Sequence, residues 1–99
     1  MTAFLSPFAL LDAQEARRWY ERCEAGLGEE FVHSLDECLS VIESDPERNR
    51  IVSPPYRKAL MRRFPFQVIY EVRPDAVWIL AVYHAKRDPS RLRQRMKDC

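Results

Sequence analysis

The sequence predicts one small α+β domain, with a helix hairpin on one side of an antiparallel sheet in the order β-α-α-β-β-β-α. Two observations lead to this prediction. Apolar residues recur at helical spacing through the first half of the chain and alternate with polar residues in the second half, so the hydrophobic period changes from about 3.6 to 2. The length of 99 residues suffices for one hydrophobic core but not for two. Residues 1–99 are therefore assigned to a single domain.

Two helices are expected after a short first strand at Thr2–Leu5. Asp12 and Glu15 have the D-x-x-E spacing of a capping box, which predicts a helix start at Asp12. The Gly26–Gly28 segment ends this helix, because glycine accepts the left-handed conformation of a helix terminus. A second helix runs from about Glu29 to Ser44, and so short a connection predicts an antiparallel hairpin. The faces expected to be buried contain Ala13, Ala16, Trp19, Tyr20 and Cys23 in the first helix and Phe31, Leu35, Cys38, Leu39 and Ile42 in the second.

The second half of the chain predicts a three-stranded meander and a C-terminal helix. Its apolar segments either alternate with charged residues or are rich in β-branched and aromatic residues, as is typical of strands. Pro74 and Asp75 suit a tight turn between the last two strands. Asp88 and Pro89 have the pattern of an N-cap followed by proline at the first helical position. The predicted strands are Arg57–Phe64, Phe66–Val72 and Val77–His84, and the predicted helix is Ser90–Lys97.

The charges are divided between the two halves of the chain. Residues 1–53 carry five arginines and eleven carboxylates, a net charge of −6, whereas residues 54–99 carry eleven basic residues and four carboxylates, a net charge of +7. Such a division indicates an anionic partner for one face, although two solvated halves or halves that neutralise each other would have the same composition. Two strands and the terminal helix supply the basic residues, which would converge at one end of the sheet: Arg57, Lys58, Arg62, Arg63, Lys86, Arg87, Arg91, Arg93 and Arg95.

Several classes of site are disfavoured by the composition. Two glycines in one turn cannot form a glycine-rich phosphate loop, and no Cys/His cluster has metal-ligand spacing, so neither a metal nor a cofactor is expected. Cys23 and Cys38 lie on predicted apolar helix faces and should be buried, reduced thiols. Together with the absence of a signal peptide or a membrane-spanning apolar run, this predicts a cytoplasmic protein without membrane insertion.

Two further features leave alternatives open. His84, at the end of the last predicted strand, is either a structural residue or a base beside the positive charge. Trp19 and Phe31 either face the core or form a groove for a partner helix, while an exposed sheet edge would accept an added strand. The sequence favours the structural alternative in both cases.

The ordered motifs SPFALLDAQEA with WYE, GLGEEF, RRFPFQVIYEV and AVYHAKRDP resemble the RelE/ParE superfamily of toxins from type II toxin–antitoxin systems. The likeness extends from Ser6 to Arg95. It implies a compact, growth-inhibiting toxin of a plasmid stabilisation module, neutralised by a cognate antitoxin that wraps it with helical and extended segments in a hetero-oligomer.

The superfamily has two activities, and the sequence resembles one more closely. RelE-like members cut messenger RNA at the ribosome with several basic residues, whereas ParE-like members poison DNA gyrase and lack that set. Arg87 and Lys58 match RelE-like positions, but Gln67, Leu60 and Arg93 stand where an arginine, a lysine and a tyrosine are expected. RNA cleavage through the 2′-hydroxyl requires a base, an acid and positive charge at the developing phosphorane. The resemblance therefore lies nearer to ParE and implies a toxin that is not an enzyme.

Each activity assigns the basic residues differently. A ParE-like toxin would use them to bind its target, and the candidate target-binding residues are Arg62, Arg63, Lys86, Arg87, Arg91 and Arg95. The alternative, a RelE-like ribosome-dependent mRNA endoribonuclease, would have Lys58, Arg63, His84 and Arg87 as its candidate catalytic residues.

Overall fold

The computed structural model describes residues 1–98 and confirms the predicted α+β fold. A helix hairpin packs on a five-stranded sheet, and a third helix follows the last strand. Cys99 lies outside the described residues. The strands are β1 (Ala3–Leu5), β2 (Ile51–Ser53), β3 (Tyr56–Leu60), β4 (Phe66–Val72) and β5 (Val77–His84), and the helices are α1 (Pro7–Cys23), α2 (Leu27–Ser44) and α3 (Pro89–Asp98).

The sheet has the strand order β1-β5-β4-β3-β2 and is mixed rather than wholly antiparallel. β1 runs parallel to β5, with Phe4 opposite Trp78, and the other neighbouring strands are antiparallel. β4 and β5 have the predicted bounds and form the predicted hairpin. Their near-continuous apolar character fits their central position, since helices cover the sheet on both faces.

The sequence prediction differs from the structure at the other edge of the sheet. The strand expected over Arg57–Phe64 ends at Leu60, because the chain turns before β4 and Arg63 has φ 71°, a left-handed conformation that a strand cannot contain. β2 was not predicted. It has three residues, two of them exposed, and so short a strand shows no hydrophobic alternation.

Helix α1 begins five residues before the predicted start. Ser6 is its N-cap, with Oγ accepting a hydrogen bond from the Ala9 amide at 3.0 Å, and Pro7 occupies the first helical position. Asp12 lies within α1, so its spacing from Glu15 does not form a capping box. The carboxylate of Asp12 instead accepts a hydrogen bond from the Val82 amide at the edge of β5.

We expect Ser6→Ala to lower the free energy of unfolding by about 1–2 kcal/mol, because the buried hydroxyl both caps α1 and donates to the Leu80 carbonyl at 3.0 Å. Urea unfolding measures this change. Ser44→Ala is the matched control, since this exposed hydroxyl only donates to a carbonyl three residues earlier and should cost less than about 0.5 kcal/mol. Equal, small losses in the two variants would contradict the prediction.

Both glycines are required by the turn between α1 and α2. Gly26 has φ 90°, a conformation that strains other residues. A Cβ at Gly28 would lie 2.8 Å from the carbonyl oxygen of Arg17, so only glycine lets the helices approach this closely. The amides of Gly26 and Gly28 each donate to the Glu21 carboxylate at 3.0 Å, and these hydrogen bonds lower the pKa of Glu21.

The core between the helix hairpin and the sheet is built on aromatic rings. Tyr20, Phe31, Phe64 and Phe66 contact one another with centroid separations of 4.8–6.2 Å. Such stacked and edge-to-face pairs contribute beyond the area that they bury. This cluster joins α1 and α2 to β4 and fixes the connection that precedes β4.

Helix α3 covers the opposite face of the sheet. Leu92 and Met96 pack against a second cluster that contains Ile69 of β4 and Tyr83 of β5. Since alternate side chains of a strand point to opposite faces, Ile69 lies across the sheet from its neighbours Val68 and Tyr70, which face the hairpin. The hairpin and α3 therefore enclose the sheet between them.

Two residues of the predicted apolar face of α1 are exposed, and the prediction that Cys23 is a buried thiol is wrong. Cys23, the last residue of α1, is exposed, and Trp19 is 57% exposed. Cys38 of α2 is half-buried, as expected of a packed thiol, and burial raises its pKa to about 11. Cys38 is therefore a neutral thiol at physiological pH.

Candidate target-binding surface

Basic side chains from two connections meet at one end of the sheet. Arg62 and Arg63 lie between β3 and β4, and Lys86 and Arg87 directly follow β5. Because β4 and β5 are antiparallel, these connections are neighbours, and the Ala85 amide donates to the Pro65 carbonyl at 2.7 Å. We call Arg62, Arg63, Lys86 and Arg87, with Arg91 in the first turn of α3, the basic end. All five residues are exposed.

Arg63 is the most restrained member of the basic end. Its guanidinium lies 2.9 Å from the Glu30 carboxylate and 5.7 Å from the centre of the Phe64 ring. The left-handed backbone at Arg63 reverses the chain so that Phe64 enters the aromatic core. Both partners of the ion pair are exposed, so it contributes little to stability, and its exchange for a target carboxylate or phosphate would cost little.

Arg87 and Arg91 flank the start of α3. The Arg87 guanidinium lies 5.3 Å from the centre of the buried Tyr83 ring, a cation–π contact that leaves its N–H groups open to a ligand. The Asp88 carboxylate accepts from the Ser90 amide at 2.9 Å, which lowers the pKa of Asp88 and caps α3. Within residues 1–98, neither Arg87 nor Arg91 lies within ion-pairing distance of a carboxylate.

Arg95, also predicted to bind the target, is placed differently. It lies 2.7 Å from the Asp12 carboxylate, and the two side chains are 21% and 9% exposed. Asp12 also accepts from the Val82 amide at 3.1 Å, on the side of β5 that β1 leaves open. The Arg95 guanidinium also lies over the Phe8 ring. Arg95 thus attaches α3 to α1 and offers no free guanidinium to a target.

The four candidate catalytic residues do not form one cluster. Lys58 shares a strand face with Tyr56 and therefore lies on the α3 side of the sheet. His84 lies on the hairpin side, with its ring 5.0 Å from the Phe66 ring. The Lys86 amide donates to Nδ1 of His84 at 3.0 Å, so this nitrogen is an acceptor already in use. Arg63 is engaged with Glu30, which leaves only Arg87 unpaired beside His84.

A groove of about 770 Å³ separates α1 from the end of β5. One wall is a stripe of α1 with Arg18, Trp19 and Arg22. The sequence left open that Trp19 forms a groove, although it favoured a core position, whereas Arg18 and Arg22 were not among the predicted functional residues. The sequence signal for them is a tryptophan between two arginines that are four residues apart, and the structure shows that this tryptophan is exposed. We call this the Trp19 groove; it is lined by Asp12, Glu15, Ala16, Arg18, Trp19, Tyr20, Arg22, Phe66, Val82, His84, Lys86 and Arg87.

A second groove, of about 330 Å³, runs between α2 and the outer edge of β3. β2 pairs only with Tyr56 and Arg57, so no strand of the described chain covers β3 at Leu60. Leu60 is 69% exposed, and Val41 of α2 is exposed beside it in the same groove. The edge of β3 at Leu60 is thus open in the described chain, and the exposed Val41 lies in the groove beside it.

The structure supplies no constellation for metal chemistry within residues 1–98, since no three His, Cys, Asp or Glu side chains are placed to hold an ion. Among the same residues, no helix combines the length and the apolar character that crossing a bilayer requires.

Comparisons with known proteins agree with this fold. The family described as the ParE toxin of type II toxin–antitoxin systems, parDE, matches residues 4–89. No curated protein matches the sequence. A chain from the solved structure of the chromosomal ParDE toxin–antitoxin system of P. aeruginosa is similar, with 15% identity and a TM-score of 0.67 over 87% of this chain and 97% of that chain. At this identity, the similarity concerns the fold.

Proposed function

Because the chain belongs to the ParE toxin family of type II toxin–antitoxin systems, we propose that it arrests growth by inhibiting DNA gyrase through its basic end. The observation that carries the proposal is the group of exposed cations, three of them without a carboxylate partner in the described chain, at one end of the sheet: Lys86, Arg87 and Arg91. Exposed arginines bind carboxylate and phosphate groups through paired hydrogen bonds.

The separation of Lys58 from His84 supports binding rather than RNA cleavage as the role of these residues. A general base and a cation that stabilises the phosphorane must contact the same phosphodiester. Here the sheet lies between them. The basic end accordingly serves as a recognition surface, and the target supplies the anionic groups.

A cognate antitoxin neutralises the toxin in this proposal. An extended antitoxin segment would pair with the open edge of β3 at Leu60, and its apolar side chains would pack on Val41 in the adjacent groove. Arg48 and Arg62 at the rim of that groove favour acidic residues in the segment. Toxin and antitoxin would form a hetero-oligomer in the cytoplasm, as part of a module of the plasmid stabilisation type.

Controlled expression in bacteria tests the proposed target. We expect growth arrest with an induced DNA damage response and intact messenger RNA, because inhibition of gyrase damages DNA and does not cleave messages. Reporter fluorescence for the damage response and primer extension on abundant messages, measured in the same culture, distinguish the two activities. Messages cut during translation without a damage response would contradict the proposal and favour the RelE-like alternative. Co-expression of the cognate antitoxin should restore growth.

A further inference from the structure

The Trp19 groove has a regular arrangement of charge and ring surface along α1. Arg18, Trp19 and Arg22 lie three, four and seven residues after Glu15, so the four residues form a single stripe that faces the groove. Arg18 and Arg22 are four residues, about 6 Å, apart along the helix axis. Lys86 and Arg87 stand on the opposite wall, which the groove shares with the basic end.

The groove is strongly cationic despite two carboxylates in its lining. Asp12 is neutralised by Arg95, which leaves Glu15 as the unpaired acid. Against it stand Arg18, Arg22, Lys86 and Arg87, none of which has a carboxylate within ion-pairing distance among residues 1–98. The lining residues thus carry a net charge of +2, or about +3 when Arg95 is counted with its partner Asp12, in a concave site where like charges reinforce one another.

Trp19 adds a flat apolar surface to this cationic site. Its indole meets the Tyr20 ring edge-to-face, at 5.6 Å and 74°, and this contact positions the ring while 57% of the residue stays exposed. Burial of Trp19 would have been favourable by the hydrophobic effect alone. An exposed, positioned tryptophan between two unpaired arginines is suited to stack on a planar ligand that also carries negative charge.

We propose that the Trp19 groove binds single-stranded nucleic acid, with one base stacked on Trp19 and the adjacent phosphates held by Arg18, Arg22, Lys86 and Arg87. The volume of about 770 Å³ lies within the range of about 300–1,000 Å³ for ligand-binding clefts. Positive grooves with aromatic platforms are the general means by which proteins hold single strands. This binding goes beyond inhibition of gyrase and does not depend on it.

The chemistry of the groove favours a single strand over a duplex and over an acidic peptide. In a duplex, each base presents its edges to the grooves and its faces to neighbouring bases, so none can stack on Trp19. An acidic peptide would satisfy the cations but has no group that requires an exposed indole. In a single strand, an unstacked base supplies the planar ring for Trp19, and the adjacent phosphates supply the negative charge for the arginines and the lysine.

Fluorescence of Trp19 tests the proposal directly. The chain has two tryptophans, and Trp78 contacts Arg73 beside the β4–β5 turn, so Trp78→Phe leaves Trp19 as the single reporter. Titration of this purified full-length variant with oligothymidylate, without gyrase, should quench the fluorescence to saturation. An oligouridylate of equal length should bind within a few fold, because neither phosphate contact nor stacking requires the 2′-hydroxyl. Absence of quenching with both strands would overturn the proposal.

Variants separate stacking from charge attraction. In anisotropy titrations with labelled oligothymidylate, Trp19→Ala should weaken binding at least about fivefold. Arg18→Gln with Arg22→Gln should make the negative slope of log K against log salt concentration shallower by about 1.4. This is the value for the loss of two phosphate contacts with a single strand. Arg17→Gln, on the same helix but outside the groove, is the control and should change the affinity less than about twofold.

Two outcomes would refute the assignment while leaving the gyrase proposal intact. Unchanged affinity in Trp19→Ala would mean that the groove attracts anions without stacking a base. Displacement of the oligonucleotide by oligoglutamate of equal charge, at equal concentration, would identify an acidic peptide as the better ligand. A purely electrostatic surface gives both results, whereas a base-stacking site gives neither.

Discussion

Arg87→Ala combined with Arg91→Ala is expected to abolish growth arrest while the fold is retained. Both arginines are exposed at the start of α3, and neither lies within ion-pairing distance of a carboxylate among residues 1–98. The longer-range attraction between Arg91 and the exposed Asp88 carboxylate contributes little to stability. Truncation of a charged interface anchor typically costs about 2 kcal/mol or more, so loss of two weakens target binding about a thousandfold. Colony counts after induction measure the effect, and circular dichroism and urea unfolding verify the fold.

The matched control removes the same charge from the connection between α2 and β2. Arg48→Ala with Arg50→Ala changes two exposed arginines outside the basic end, so growth arrest should persist. Persistent arrest in the Arg87/Arg91 variant, at an equal protein level, would instead exclude the basic end as the target-binding surface. Arrest lost in both variants would show that the net charge of the chain matters rather than its placement.

Hydrophobic period was sufficient to predict the central part of this fold. β4 and β5 have their predicted bounds because β-branched and aromatic residues predominate in both segments, as is typical of buried strands. The start of α1 was misplaced because two patterns competed. Ser6-Pro7 also has the pattern of a helix start, but the D-x-x-E spacing of Asp12 and Glu15 predicts a later one. Local patterns of equal strength cannot be ranked without the packing that selects one.

The sequence was sufficient to predict the sign of the charge at the site, but not which residues belong to it. Clustering of Arg62, Arg63, Lys86 and Arg87 follows from the strand order, since antiparallel neighbours bring their connections together. Removal of Arg95 from that set depends on Asp12, 83 residues away in the chain, and no local pattern links them. The cationic wall of α1 was missed for a related reason. Arg18 and Arg22 lie in the half of the chain that has a net negative charge. The net charge of a half does not show how charges are distributed on one face of a helix.

Asp12→Ala is expected to lower the free energy of unfolding by about 2–4 kcal/mol, an unusually large effect for a polar helix residue. The Val82 amide would lose its acceptor, at a cost of about 1–3 kcal/mol, and the largely buried Arg95 would lose its counter-charge. Urea unfolding measures the loss, and hydrogen exchange should show α3 opening more readily than β4. Since α3 carries Arg91, toxicity should fall in proportion to the fraction of molecules with α3 detached.

Three further variants identify the origin of that loss. Asp12→Asn retains an oxygen for the Val82 amide and should cost less than Asp12→Ala, while Glu30→Ala breaks the exposed pair with Arg63 and should cost less than about 1 kcal/mol. A double-mutant cycle with Arg95→Gln then gives the coupling between Asp12 and Arg95. Zero coupling would mean that α3 is held by Leu92 and Met96 alone. A coupling above about 1 kcal/mol would establish that Asp12, an acidic residue of the first half of the chain, positions the basic helix α3 of the second half. The opposite charges of the two halves would then stabilise the fold as well as attract a partner.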